Sequence, residues 1–327
     1  MNNHFPILGK ADVAAQLAAP STTYQQNYFA MFSSLLGGIV TDPRLMLVPV
    51  DDHLVHRGDG VFDTAKCVAG NLYNLEAHLD RLASSAARIA LVAPLDRPAL
   101  RAAVIATVRA GACRNCLVRI ILGRGPGSLG INPCDCPLTS LYIIAYAGHP
   151  SFMMAHPGGA RIITSHVPIK PDFFATIKTV NYLPNALMKL EAAQAGVDFA
   201  VAFDDAGHLA EGATENFGIV TADRRLYLPG PEHILAGTTM NRAAELAIDL
   251  VQEKSLRSIE RCAITCTAAL AASEILIFGT TPDVTSVVEW DGQRIGTGQP
   301  GLVGQALNSR LQRDMLENHS LLTPVWK

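Results

Sequence analysis

Seven lysines stand against nineteen arginines in this 327-residue chain, and one of the seven, Lys178, lies in the apolar, β-branched stretch ATIKTVNYL. Placed between a strand-like and a helix-like segment, such a lysine is expected to be at least partly desolvated, which disfavours its charged form and makes a neutral amine accessible. A neutral amine is what Schiff-base chemistry requires. The competing reading is a lysine that buries its stem and keeps its head in water. Three other features bear on the choice. Glu211 precedes a glycine and small-hydroxyl turn in LAEGATEN. Gly237-Thr238-Thr239 opens a helical pattern, and hydroxyls with free backbone amides at a helix start form an anion site. Arg81 lies upstream in HLDRL. A lysine for an imine, an acid that keeps a pyridine nitrogen protonated, and an arginine with a hydroxyl-rich helix start for a phosphate are together what pyridoxal 5′-phosphate requires. Each residue alone has an ordinary role as a cap or a surface charge; their order and spacing carry the joint reading.

Other patterns fail on context. Gly125-x-Gly127-x-x-Gly130 follows a plausible strand, but the next residues, INPCDCP, cannot begin the long helix that a dinucleotide fold places under the pyrophosphate. Those glycines are expected to let a loop pass close to a ligand or another subunit. Cys113-x-x-Cys116 and Cys134-Asp-Cys136 lack the spacing of the common zinc sites, so no metal is expected and free thiols are. His53 and His56, in DDHLVHRGDG, read as a polar turn or strand edge. Nucleophile elbows, zinc-protease motifs and phosphate-binding Walker loops are absent from the sequence.

The elements that must position these residues follow from periodicity. RLMLVPV (44–50) has strand character after a turn at Asp42-Pro43, and two short strands flank Gly70-Asn71. A helix runs from about Leu75 with Leu75, Leu79, Leu82 and Ala86 on one face, and a second covers about 97–110. Strands at 116–122 and 138–147 close a first α/β domain, 1–147, which includes an N-terminal extension. Residues 148–160, rich in Gly and Pro, read as a linker. A second, larger unit, 161–327, holds strands at 161–169, 197–204, 215–222 and 274–279. It also holds helices at about 183–195, 238–252 and 266–271. Leu183, Leu187, Leu190 and Gln194 mark one face of the 183–195 helix, with Pro184 in its first turn and Gly196 at its end. Hairpins mixed with helical crossovers predict an α+β, or mixed α/β, fold of two domains.

Composition limits the function. Hydrophobic residues make up 49% and charged residues 17%, which excludes disorder driven by charge. A net charge of −3 provides no excess to hold a polyanion, so no nucleic-acid partner is expected. No apolar run reaches 18 residues and the N-terminal stretch lacks the pattern of a secretory signal, so no membrane partner and a cytoplasmic location are expected. The odd cysteine count agrees with a reducing compartment.

Six stretches together, HRGDGVFDT (56–64), NLEAHLDRL (74–82), IKTVNYLPN (177–185), LAEGATENFGIV (209–220), ILAGTT (234–239) and DGQRIGTGQPG (291–301), resemble the class IV pyridoxal-phosphate aminotransferases. This family includes D-amino acid aminotransferase, branched-chain aminotransferase and aminodeoxychorismate lyase. The resemblance implies fold type IV, with a smaller N-terminal α/β domain, a larger C-terminal barrel-like α/β domain, and a homodimer. By the same resemblance, Lys178 forms the Schiff base and shuttles the proton, Glu211 pairs with the pyridine nitrogen, and Arg81 binds the phosphate. Thr238 and Thr239 match the phosphate-binding helix start, Thr214 and Glu215 the loop beside the phosphate and ring, and Leu235 an apolar residue on the cofactor face. Tyr182 lies near where branched-chain enzymes place a tyrosine at the cofactor hydroxyl. The interval from Lys178 is one residue shorter than theirs, a spacing that agrees with the D-amino acid enzymes, which usually lack the tyrosine.

The substrate side departs from the family. The Arg-x-His pair with which bacterial D-amino acid enzymes hold the α-carboxylate is replaced by Leu129 and Ile131, and the Tyr-x-Arg of branched-chain enzymes by Leu117-Val118-Arg119. Phe62 stands where D-specific enzymes commonly carry a tyrosine. Arg119, Arg124 and the turn with Thr280 and Thr281 remain as donors to a substrate carboxylate. The expected activity is transfer of an amino group from a small amino acid, D-alanine-like, to a 2-oxo acid. Aminodeoxychorismate lyase and a branched-chain L-amino acid aminotransferase are the alternatives. A catalytically silent interaction protein is disfavoured, because Lys178, Glu211 and Arg81 are all present.

Overall fold

The computed structural model describes residues 5–326. After helix α1 (Lys10–Ala18), the first half contains strands β1 (Tyr28–Ser33) and β2 (Gly38–Val40), a short helix α2 (His53–His56), and strands β3 (Gly60–Val68) and β4 (Asn71–Tyr73). Helices α3 (Leu75–Arg88) and α4 (Arg97–Ala110) and strands β5 (Cys116–Gly123) and β6 (Ser140–Ala147) complete it. The helix expected from Leu75 forms because Leu75, Leu79, Leu82 and Ala86 recur on one buried stripe, which packs on β3. Helix α4 starts where Asp96 accepts a hydrogen bond from the Ala99 amide at 2.9 Å. The strand expected at 44–50 is absent. Asp42 instead accepts from the Arg44 amide at 3.1 Å and turns Pro43–Leu45 into a single 3₁₀ turn, leaving Leu47 and Val50 exposed.

The second half runs α5 (Phe152–Ala155), β7 (Ala160–Thr164), α6 (Asp172–Ala175), α7 (Leu183–Gln194), β8 (Phe199–Phe203), β9 (Leu209–Gly212), β10 (Asn216–Val220) and β11 (Arg225–Leu228). It continues with α8 (Thr238–Gln252), β12 (Ser258–Arg261), α9 (Cys266–Leu270), β13 (Glu274–Gly279), β14 (Asp283–Trp290), β15 (Gln293–Arg294), α10 (Leu302–Glu317) and β16 (Leu322–Pro324). Strands β10, β13, β14, β7, β8 and β9 pair in that order, and β9 returns to β10 through Glu211 and Asn216, so six strands close a barrel-like ring. Phe217, Ile219, Ile275, Ile277 and Trp290 belong to a core cluster built largely from these strands. Helices α8 and α10 cover an adjoining cluster with Leu276, Phe278, Leu307 and Leu311. This is the mixed α/β arrangement expected. Among the described residues, no helix is long and apolar enough to cross a membrane.

Two expectations about the second half need correction. Leu183, Leu187 and Leu190 are 67%, 42% and 50% exposed, and α7 buries Asn185, Met188 and Ala192 instead. The helix carries apolar residues on both sides, so periodicity could not choose which side docks against β8. The boundary 161–327 also misassigns the chain end. Strand β16 pairs antiparallel with β4, and Val325 enters the core of the first sheet. That sheet has the order β16-β4-β3-β5-β6-β1-β2, antiparallel throughout.

The β3–β5 register decides what the first sheet presents to the second half. Phe62 lies opposite Ile121 and Thr64 opposite Arg119, so these four side chains share a face, while Asp63 turns to the other face beneath α3. Segment 176–182 of the second half docks on the edge of β3. The Phe62 amide donates to the Lys178 carbonyl at 2.9 Å, and the Val180 amide to the Gly60 carbonyl at 2.9 Å.

Candidate active site

Clamping of segment 176–182 to β3 fixes Lys178, whose own amide donates to the Ser85 hydroxyl at 3.2 Å. The side chain is 9% exposed. Its Nζ lies 4.9 Å from the centroid of the Phe62 ring and donates to the Tyr182 hydroxyl at 3.4 Å. Burial, reinforced by the nearby Arg81 charge, brings the amine down from an ordinary 10.5 to about 8, against the pull of Asp63 and Glu211. Tyr182 precedes α7 and meets Phe62 edge-on at 5.0 Å, and burial pushes its hydroxyl pKa up. The competing picture of a lysine with a solvated head is therefore excluded.

Glu211 sits at the β9–β10 closure of the barrel, and its Oε2 accepts from the Leu235 amide at 3.1 Å. Burial raises its carboxyl to about 7, with the Leu235 amide, Lys170 and Lys178 opposing the rise. Near neutrality such an acid can hold or release a proton at a facing nitrogen. Lys170, which the sequence reading passed over, stands 4.4 Å over the Tyr182 ring and feels the Glu211 charge.

Arg81 reaches from α3 toward the segment leading into α8, where its Nη1 donates to the Ala236 carbonyl at 3.3 Å. Among the described residues, no side chain caps α8 at Gly237, so the first amides of this 15-residue helix are available to an anion. A Cβ at Gly237 would fall 1.8 Å from Asn216 Oδ1, so a larger residue would have to displace the Asn216 side chain, which donates to the Leu235 carbonyl at 3.0 Å. Thr238, Thr239 and Thr280 line one small cavity with Lys66, His78 and Asp283. An adjoining cleft of about 470 Å³ is lined by Arg81, Ser85, Leu235, Ala236 and Thr238. Thr214 is exposed and its hydroxyl donates to the buried Glu215 carboxylate. A buried reactive amine, a titratable acid and an arginine beside an uncapped helix start form a donor set that fits pyridoxal 5′-phosphate.

The two candidate arginines separate. Arg119 is exposed on the inner face of the first sheet, with its guanidinium 5.2 Å from the Phe62 ring and 5.6 Å from the Tyr146 ring, and its Nε 3.3 Å from the Thr64 hydroxyl. Arg124 is committed elsewhere. It pairs with both oxygens of Asp59 at 2.9 and 3.0 Å and donates to the Ala90 and Ile89 carbonyls, both at 2.9 Å, so it is withdrawn as a carboxylate donor. Thr280 lies on the helix-start side and Thr281 is exposed beyond that cavity.

The glycine-rich loop also has a different cause from the one expected. Gly125 adopts φ +96°, and a Cβ there would sit 1.8 Å from the Leu138 carbonyl oxygen, so the close approach is to the chain itself. A 3₁₀ turn, Pro133–Asp135, follows in place of a long helix. His53 is buried with Nε2 3.0 Å from the Ser128 carbonyl, tying α2 to this loop. All seven cysteines lie among the described residues and are free thiols.

Sequence reasoning missed Asp63 and His78, both buried beside Arg81. The available signal was a histidine three positions before the arginine on an otherwise apolar helical stripe.

Residues 60–290 match the family described as amino-transferase class IV. The chain is 36% identical to the chloroplastic D-amino-acid transaminase of Arabidopsis thaliana over 95% of this chain and 82% of that protein. It is 31% identical to a putative branched-chain-amino-acid aminotransferase of Methanocaldococcus jannaschii, over 85% of this chain and 94% of that one. A solved structure of the T.th. branched-chain amino acid aminotransferase with pyridoxamine 5′-phosphate superposes with a TM-score of 0.84 at 26% identity, covering 91% of this chain and 99% of the other.

Proposed function

Because the chain belongs to the class IV amino-transferase family, whose cofactor is pyridoxal 5′-phosphate, we propose that it transfers the amino group of a small D-amino acid, D-alanine or one of similar size, to a 2-oxo acid. The observation that carries the amino transfer is Lys178: a buried amine brought down to about 8, held between Phe62 and Tyr182 on a segment clamped to β3. Bound here, the cofactor supplies an electron sink for the substrate Cα and a carrier for the amino group. Lys178 Nζ would take the proton from the substrate Cα and deliver it to the C4′ carbon of the bound cofactor, and Tyr182 Oη would restrain the amine between these steps. Glu211 holds a proton at the ring nitrogen. Arg81 and the α8 amides would hold the phosphate, and Arg119, on the face that carries Phe62, would donate to the substrate carboxylate.

Likeness over 95% of the chain to a D-amino-acid transaminase supports the D configuration, as does the Lys178–Asn181 spacing. Leu129, Ile131 and Leu138 are 66%, 83% and 68% exposed on one loop, an apolar surface that a second copy would cover in a homodimer. Light scattering that finds an active monomer at assay concentration would remove the dimer.

Cofactor-loaded protein is mixed separately with D-alanine, L-leucine and aminodeoxychorismate, and the visible band of the bound cofactor is followed. Conversion by D-alanine and not by L-leucine is expected. Conversion by L-leucine alone overturns the configuration in favour of a branched-chain enzyme. Release of pyruvate from aminodeoxychorismate without net amino transfer reassigns the protein as the lyase.

A further inference from the structure

We propose that Asp63 and His78 are positioning residues that aim the Arg81 guanidinium at the phosphate subsite; this rests on the cofactor reading above. Strand β3 alternates its side chains, so Asp63 leaves the face that carries Phe62 and Thr64 and projects beneath α3. On α3, His78 and Arg81 are three residues apart and therefore share a face. The three meet. Asp63 Oδ2 accepts from Arg81 Nε at 2.8 Å, and Oδ1 accepts from Arg81 Nη2 at 2.8 Å. Oδ1 also lies 2.7 Å from His78 Nδ1 and accepts from the Thr64 amide at 2.7 Å.

This geometry leaves Arg81 little choice of orientation. The Nε–Nη2 edge of the fork is occupied by a carboxylate that is 0% exposed, so the plane of the guanidinium is set by the first sheet. The Nη1 end projects toward Ala236 and the start of α8. Freed from Asp63, a long arginine side chain has many rotamers, and few of them point at the helix start. His78 completes the support. Burial holds its pKa below the ordinary value, and the Arg81 and His78 neighbours hold Asp63 well below the usual carboxylate range despite its burial. A neutral His78 therefore donates Nδ1–H to an ionised Asp63, and fixes the carboxylate as the carboxylate fixes the arginine. The imidazole also lines the cavity shared with Thr238, Thr239 and Thr280.

Charge and position predict opposite signs for one substitution. Asp63→Asn deletes a negative charge next to the phosphate subsite, and charge alone would tighten phosphate binding. Weaker binding can therefore come only from a misplaced Arg81. The full-length chain, freed of cofactor, is titrated with pyridoxal phosphate, with pyridoxal, and with inorganic phosphate as a competitor of pyridoxal phosphate. Asp63→Asn is expected to weaken pyridoxal phosphate and inorganic phosphate by about tenfold, the loss of one well-aimed charge-assisted contact, and to leave pyridoxal unchanged. In an Arg81→Gln background the same substitution has no further weakening effect, because nothing remains to be aimed. Asp63→Glu, which keeps the carboxylate, restores part of the phosphate affinity.

Unchanged or tighter phosphate binding by Asp63→Asn overturns the proposal, as does the same loss in the Arg81→Gln background or an equal loss toward pyridoxal. If Asp63→Asn does not fold, His78→Gln serves in its place. It is expected to show a smaller loss confined to the phosphorylated ligand, and no loss overturns the proposal. Failure of the unsubstituted chain to bind pyridoxal phosphate would sink the cofactor reading itself, a result separate from all of these.

Discussion

Replacing Lys178 by methionine keeps the length and apolar volume of the side chain and removes the ammonium. The unfolded chain carries this lysine at an ordinary 10.5, and the folded protein holds it at about 8, chiefly through burial. At about 1.4 kcal/mol for each pH unit, the difference costs the folded, cofactor-free protein about 3 kcal/mol. The sign follows from proton counting. Below pH 8 both states are protonated and the whole cost is present. Between pH 8 and 10.5 the unfolded chain still binds the proton while the folded one has released it, so stability rises with pH until the cost is gone. Lys178→Met should therefore stabilise the cofactor-free protein by up to about 3 kcal/mol at pH 7, with the gain shrinking steadily toward pH 10.5. The assay is urea denaturation of both proteins, freed of cofactor, at pH 7, 8.5 and 10, taking the difference so that other titrating groups cancel. A Lys178→Met protein no more stable than its parent at pH 7, or a gain that does not vary with pH, would refute the desolvation reasoning. The same depression leaves about a quarter of the amine neutral at pH 7.5, where an unperturbed lysine leaves about a thousandth.

Glu211→Gln should keep the cofactor bound while slowing the single-turnover half-reaction by about a hundredfold or more, read by stopped-flow absorbance, since an amide cannot hold the ring-nitrogen proton as the acid does. The two arginines of β5 and its following turn should divide cleanly. Arg119→Gln raises the KM for the amino acid with little change in unfolding free energy, whereas Arg124→Gln costs about 1–3 kcal/mol of stability in urea and leaves KM unchanged. Gly237→Ala should weaken cofactor binding and lower the melting temperature, because its methyl would meet Asn216 Oδ1 at 1.8 Å. An alanine variant with normal affinity would show that the helix start can shift.

Local signals decided much of this protein before any folding. The stripe of Leu75, Leu79, Leu82 and Ala86 and the Gly237-Thr238-Thr239 helix start are each set by residues within a turn or two of one another. They were legible in the sequence for that reason. The apolar setting of Lys178 was legible as well, and six short stretches spread over 56–301 carried the family and its cofactor. What tertiary structure alone decided involves partners distant along the chain. Arg119 and Arg124 look equivalent in sequence, and they part because Asp59, Ile89 and Ala90 come from other turns of the fold to occupy Arg124. Asp63 reads as one polar residue in a strand until α3 folds over it and brings Arg81 and His78 to its two oxygens. The docking side of α7 was hidden for a related reason: with apolar residues around the helix, the choice belonged to the shape of the barrel and not to the period of the helix. The return of β16 to β4 was invisible as well, since the pairing of strands about 250 residues apart leaves no periodic trace in either.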